Sequence, residues 1–410
     1  MSHDSALHEA PSVQGHPLFD EVVDRRHSNS MKWGVPELFL QPDEVIADPL
    51  PMWVADMDFK APPAVREALH EAVDFGVFGY PGGGTPGYLN SIVGWQGRRF
   101  GWDVDPSWIV HTAGIITSIK TAVQAFSAPG DSILIQPPVY SHFHDDIRLN
   151  GRHLAYARLE RTGDGYRFDE AAFEAAIRPD TKLFILSNPH NPTGNVWSPD
   201  ELRAMGQICA RHGVLVIADE IHQDLIINPD RRHTPFASLS PQCAANSITC
   251  TAPSKTFNLP GLQSANLFIP DHRLREEFQR QYERNVFPFV NNLGMVAAEA
   301  AYTHGEPWLE DLLVYLRANH EHFAGEINAR TSKVRVLPAD ALYLAWMDCR
   351  GLGMSAEDLD RFMLLDARLW LDKGQKFGQE GHGYMRVNLG CPRSTVDEAI
   401  GRLTTALNNL

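Results

Sequence analysis

Thr251-Ala252-Pro253-Ser254-Lys255-Thr256-Phe257-Asn258 places a lysine in a short polar turn, directly after the apolar run around Ile248. Lysine is scarce here, eight residues against twenty-eight arginines. A lysine held off the surface loses its proton more readily and can attack a carbonyl to form a Schiff base. Most lysines are solvated charges instead, so the turn takes its meaning from other segments. Leu183-Phe184-Ile185-Leu186 is an apolar run of buried-strand type. It leads into Ser187-Asn188-Pro189-His190-Asn191-Pro192-Thr193-Gly194. Val214 to His222 sets an acid, Asp219, at the carboxyl end of another such strand. Tyr384-Met385-Arg386-Val387-Asn388-Leu389-Gly390 places an arginine inside a further short apolar strand.

Around these segments strands and helices alternate. Pro62 to Phe75 reads as a helix, with Val65, Leu69 and Val73 at helical spacing. The run Pro81-Gly82-Gly83-Gly84-Thr85-Pro86-Gly87 can only be a loop. A helix follows from Tyr88 to Phe100, then a strand at Trp108-Ile109-Val110 and a helix from Ile115 to Phe126. Ser132 to Ile135 reads as a strand, with the next helix beginning at Pro138-Val139-Tyr140. Near-continuous apolar strands alternating with helices imply an α/β fold, a mostly parallel sheet covered on both faces. Ligands of such sheets sit beyond the carboxyl ends of the strands. Gly114, Tyr140, Asn191, Asp219 and Lys255 all fall just after strands. After about Phe289 the pattern changes. One long helical region to about Ala329 precedes short strands at Val334-Arg335-Val336 and Leu342 to Met347, a helix and the Arg386 strand. This is a smaller α+β domain.

The formal charge of −15 and pI of about 5.6 argue against nucleic acid or an anionic membrane as partner. No stretch approaches the roughly 20 apolar residues that span a bilayer. Met1 to His16 lacks the apolar centre of a signal peptide and is expected to be a loose tail. Five widely spread cysteines fit a reduced cytoplasm better than a disulfide framework. His142 and His144 alternate, but no Cys or carboxylate cluster converges with them, so no metal is expected.

Asn191, Asp219, Lys255 and Arg386, in that order, resemble the fold type I pyridoxal-phosphate (PLP) enzymes, the aspartate aminotransferase superfamily. The resemblance runs from about Phe19 to the C-terminus. Four stretches are similar to the cystathionine β-lyase branch, bacterial carbon–sulfur lyases: Pro51 to Phe59, Phe78-Gly79-Tyr80, Ala252 to Asn258 and Gly383 to Asn388. The resemblance implies a large PLP-binding domain over 61–289. The segment 1–60 would pack with 290–410 as the small domain.

It also implies roles. Lys255 would carry the Schiff base and then move the α-proton. Asp219 would keep the pyridine nitrogen protonated. Asn191 would meet the phenolate oxygen, and His222, three residues past Asp219, would reach the same oxygen. Tyr140 would stack on the ring. Gly114 and Ile115 would hold the phosphate at a helix start, with the Ser254 hydroxyl added. Tyr80 would reach that phosphate from a neighbouring subunit, making a homodimer with a shared site. Arg386 would take the α-carboxylate of an amino-acid substrate in a two-pronged fork. Trp53 and Asp56 would face the substrate side chain, although a core tryptophan and a capping aspartate explain them nearly as well. Lys255, Tyr140 and Asp219 form the implied catalytic set.

One position departs from the superfamily pattern. Many aminotransferases carry a phosphate-binding arginine eight residues after the lysine, and here that residue is Gln263. The implied reaction is therefore cleavage of the Cβ–S bond of cystathionine or a related cysteine S-conjugate. An aminotransferase using the same residues is the first alternative. A regulatory protein with secondary PLP activity is the second.

Overall fold

The computed structural model describes residues 15–285 and 290–410. Nearly all of the expected tail, and the expected domain boundary at 289, lie outside the described residues. Seven strands form the main sheet: β1 (Ile109–Thr112), β2 (Ser132–Ile135), β3 (His153–Tyr156), β4 (Thr181–Ser187), β5 (Leu215–Asp219), β6 (Ser247–Thr251) and β7 (Ala265–Phe268). Their order is β1-β7-β6-β5-β4-β2-β3. β7 runs antiparallel to both neighbours and the other pairs are parallel.

Burial on both faces explains the unbroken apolar runs. Successive residues point to opposite faces. Ile185, Ile217 and Ile248 meet Ile119 and Val123 of the helix Ile115–Phe126. Phe184, Leu186 and Val216 meet Leu202 and Met205 of the helix Pro199–Arg211 on the other side. The register sets Ser187 opposite Asp219, and Asp219 opposite Cys250. The central strands thus end level, and the segments carrying Asn191, Asp219 and Lys255 leave from one edge.

Several boundaries differ from expectation, each for a local reason. The helix expected from Tyr88 begins at Pro86, because the Thr85 side chain accepts the Tyr88 amide and proline suits the first turn. Trp108 lies in the short 3₁₀ turn Pro106–Trp108, capped by Asp105, and not in a strand. Tyr140 stands before its helix, Ser141–Leu149, with extended backbone at ψ 127°. The long helical region is two helices, Asn292–His304 and Glu306–Arg330, broken at Gly305. A Cβ at Gly305 would lie 2.5 Å from the Ala301 carbonyl and 2.6 Å from the Phe257 ring, so only glycine lets the chain pass there.

A second sheet is antiparallel throughout: β8 (Arg335–Val336), β9 (Leu344–Asp348), β10 (Asp372–Lys373) and β11 (Tyr384–Asn388), in the order β8-β9-β11-β10. Leu50–Pro51 pairs in parallel with Leu369–Trp370, which fastens the N-terminal segment beside it. Among the described residues no helix is long and apolar enough to cross a membrane.

The stretch from Met52 to Phe59 lies between the two sheets. Asn388 donates from Nδ2 to the Val54 carbonyl (2.6 Å) and the Asp56 carbonyl (2.7 Å), while its Oδ1 accepts the Gly390 amide (2.8 Å). From the other side Asn258 donates to the Met57 and Phe59 carbonyls, each at 2.8 Å, and accepts the Met57 amide at 3.0 Å. Asn388→Ala removes the donor to two partly buried carbonyls and the acceptor of a buried amide, each worth about 1 kcal/mol. Urea denaturation of that variant should show unfolding free energy lowered by about 3 kcal/mol. An unchanged midpoint would show that the clamp contributes nothing.

Candidate active site

Beyond the level ends of β4, β5 and β6 lies a cavity of about 320 Å³. Its wall includes Gly114, Ile115, Tyr140, Asn191, Asp219, His222, Ser254 and Lys255, so the structure gathers eight of the expected residues around one space. Lys255 stands not in an open turn but in the one-turn helix Pro253–Thr256 that follows β6, and donates from Nζ to the Ala55 carbonyl at 2.6 Å. Burial, with the nearby Arg386 charge, lowers its pKa to about 8, against the opposing pull of Asp56 and Asp219. Asp219 closes β5. Burial raises its pKa to about 7, although the Ile221 amide, 3.2 Å from Oδ1, and the Lys255 charge favour the carboxylate.

His222 is buried, and its Nδ1 has no hydrogen-bond partner among the described residues. Burial and the charges of Lys255 and Arg386 hold its pKa well below the usual range, so the imidazole is neutral at pH 7. Burial likewise pushes the Tyr140 hydroxyl upward and keeps it protonated. Gly114 is the N-cap of the helix Ile115–Phe126, and Ile115, Ile116 and Thr117 of its first turn face the cavity. The first amides of a helix lack intrahelical partners and favour an anion.

Arg386, in β11, is buried directly behind Asn191. Its Nη1 donates to Asn191 Oδ1 at 3.1 Å, and its Nη2 to Asp372 Oδ2 at 2.6 Å and to the Trp53 carbonyl at 3.2 Å. The side chains of Trp53 and Asp56 do not line the cavity. The Trp53 ring stacks on Trp370 at 4.5 Å. Asp56 Oδ2 pairs with Arg25 at 2.6 Å, and between them it is Ala55 that reaches the wall. Tyr80 is 85 % exposed and does not line the cavity of its own chain. The sequence reading missed Ala55, Thr117, Ile221 and Ser264 as wall residues. Ala55 meets Lys255 through a backbone carbonyl two hundred positions away, a contact that leaves no mark in side-chain pattern.

These groups fit pyridoxal phosphate. A Cβ placed on Gly114 meets nothing within 4 Å, so the cradle at the helix start is open. Asp219, raised toward neutrality by burial, suits a protonated ring nitrogen. The orphaned His222 Nδ1 suits an oxygen substituent, and Lys255 an aldehyde.

Comparison with known proteins agrees with this geometry. Residues 49–403 match the family of class I and II aminotransferases, and the chain belongs to it. It is 41 % identical over 394 residues to the cystathionine beta-lyase PatB of Bacillus subtilis, covering 95 % of this chain and 100 % of that one. Among solved structures, cystalysin from Treponema denticola, which contains a pyridoxal 5′-phosphate cofactor, superposes with a TM-score of 0.90 at 32 % identity, over 95 % of this chain and 98 % of that one. A PLP-bound protein from Clostridium difficile 630, named provisionally as an aminotransferase, gives 0.91 at 39 % identity, over 95 % and 99 %.

The raised Asp219 pKa has a consequence for the cofactor-free chain. Between its usual 3.8 and about 7 the folded state binds more protons than the unfolded one. Stability is therefore lost as pH rises through that window, and the loss is complete above about 7. Cofactor-free Asp219→Asn should melt above the cofactor-free parent at pH 8, by on the order of 3 kcal/mol. The gap should close toward pH 4. Thermal scans across that range check it, and a pH-independent gap would contradict it.

Proposed function

We propose that this member of the class I and II aminotransferase family is a PLP-dependent carbon–sulfur β-lyase. It takes cystathionine or a related cysteine S-conjugate with one water to pyruvate, ammonia and a thiol, homocysteine in the case of cystathionine. The observation that carries this reading is the 41 % identity to a cystathionine beta-lyase across 95 % of the chain. The cavity wall supports it. Gln263, uncharged, stands where many aminotransferases place a phosphate-binding arginine, and among the described residues Lys255 is the one lysine or arginine in the wall.

When bound, pyridoxal phosphate supplies an electron sink for negative charge at the substrate Cα. The protein does the rest. Gly114, Ile115 and Ser254 would hold the phosphate. Asp219 would keep the ring nitrogen protonated, Asn191 and His222 would meet the ring oxygen, and Tyr140 would cover the ring and exclude water. Arg386 takes the α-carboxylate. Lys255 would be the point of attachment and the base that takes the α-proton. Its pKa of about 8 leaves a usable fraction of free amine near neutral pH. The Ala55 carbonyl, 2.6 Å away, is placed to receive the ammonium that forms.

The same groups would serve an aminotransferase, which returns the proton to the cofactor and leaves the Cβ–S bond intact. A thiolate at Cβ is a good leaving group, so expulsion should win. Given a cysteine S-conjugate, the purified enzyme should release pyruvate, ammonia and thiol in equal amounts with no added 2-oxo acid. Lys255→Ala should lose all three. A requirement for a 2-oxo acid, with build-up of the amine form of the cofactor, would decide for the aminotransferase.

The site is completed by a second copy of the chain. Support comes from the run Val73, Phe75, Val77, Phe78 and Tyr80, whose large apolar side chains all face solvent in the single chain, Phe75 at 75 %. Several exposed large apolar side chains within eight residues suit an interface. Tyr80 would reach the partner's phosphate from its glycine-rich loop. Five free, buried cysteines support a reducing, cytoplasmic location. Mixing Tyr80→Ala with Lys255→Ala subunits after dissociation should recover part of the activity, because one site in each heterodimer is then intact. Heterodimers that form and stay inactive would count against sharing.

A further inference from the structure

We infer that Asp372 is the positioning residue for the α-carboxylate subsite and that Lys376 restores the positive charge Asp372 would otherwise cancel. The inference rests on the reading of Arg386 as the group that takes that carboxylate. Asp372 lies directly across from Arg386 in the pairing of β10 with β11. Its Oδ2 accepts from Arg386 Nη2 at 2.6 Å, and both side chains are at least nine-tenths buried. The other contacts of the guanidinium are longer, 3.1 Å to Asn191 Oδ1 and 3.2 Å to the Trp53 carbonyl. The ring of Phe377 lies against it, 4.8 Å from centroid to Cζ. A short, charge-assisted bond is the strongest of such a set, so Asp372 decides how the plane of the fork is turned.

A buried arginine paired with a carboxylate is neutral as a unit and offers an incoming anion little. The second oxygen of Asp372 answers this. Lys376 Nζ donates to Oδ1 at 2.8 Å from one turn further along the chain. That ammonium also sits 5.7 Å over the Trp53 ring, whose own carbonyl holds Arg386. Two cations thus share one carboxylate, and the cluster keeps a net charge of +1 beside the subsite. The arrangement separates two tasks: Asp372 sets direction and Lys376 sets field strength.

The test uses the PLP-loaded enzyme and two ligands with no leaving group on Cβ, L-alanine and L-alaninamide, whose binding is read from the visible absorption of the cofactor. They differ only in the carboxylate. Asp372→Ala should weaken L-alanine about tenfold or more while moving L-alaninamide little, since only the first uses the fork. Its KM for a cysteine S-conjugate should rise in step, with kcat changed far less. Lys376→Met, at a half-exposed position, should weaken L-alanine about threefold, and added salt should erase that difference. Asp372→Glu should recover part of the loss. If Asp372→Ala fails to fold or to bind cofactor, Lys376→Met decides. Unchanged preference between the two ligands in the folded variants overturns the inference. Arg386→Ala separates the two failures: if that variant keeps the parent's preference for L-alanine, the reading of Arg386 itself falls.

Discussion

The site depends on the level register of three parallel strands. Ser187, Asp219 and Cys250 lie abreast in β4, β5 and β6. A slip of one residue in any strand would turn its side chains to the opposite face. Burial on both faces forbids the slip, because Phe184, Ile185, Val216 and Ile217 each belong to one of two different packed layers. A stability device therefore becomes a positioning device. Residues leaving these strand ends meet around one cavity without any contact needed to draw them together.

The second requirement is a connection between the sheets. Arg386 belongs to the smaller sheet and Asn191 to a loop of the larger, yet they touch at 3.1 Å. The stretch from Met52 to Phe59 makes the approach possible by lying between, its carbonyls claimed by Asn388 on one side and Asn258 on the other. Behind it, Asp58 accepts from the fully buried Lys32 at 2.7 Å and from Arg25 at 2.6 Å. The Ala55 carbonyl, held between these ties, also accepts from the Tyr343 hydroxyl at 2.8 Å, so the acceptor facing Lys255 is fixed.

The electrostatics follow from the same enclosure. Burial drives Asp219 up and Lys255 down, each toward neutrality, as desolvation disfavours charge of either sign. In the cofactor-free chain this is a cost. A protonated pyridine nitrogen beside Asp219 and an aldehyde beside Lys255 would give each of these groups a partner. Asp372 and Arg386 meet burial differently, by pairing with each other at 2.6 Å.

Local pattern was enough to identify β1, β2, β4, β5 and β6, though not β3, β7 or β10, together with the helix at Ile115–Phe126 and the strand-end positions of Gly114, Asn191, Asp219 and Lys255, because apolar periodicity and strand-end placement are properties of short segments. It misplaced Trp108 and Tyr140, whose states depend on a cap and on a turn, and it ran two helices together across Gly305, where packing against Phe257 makes the break. Trp53 and Asp56 were legible as a motif but not as positions. The ring turned to Trp370 and the carboxylate to Arg25, and Ala55 between them, with no side chain to signal it, reached Lys255. Asp372 carried no sign at all until β10 was laid beside β11. Sequence by itself determined which residues sit at strand ends, since burial acts through each strand's own composition. Only the tertiary structure decided which groups touch across hundreds of positions, since those contacts arise from the packing of one sheet against another.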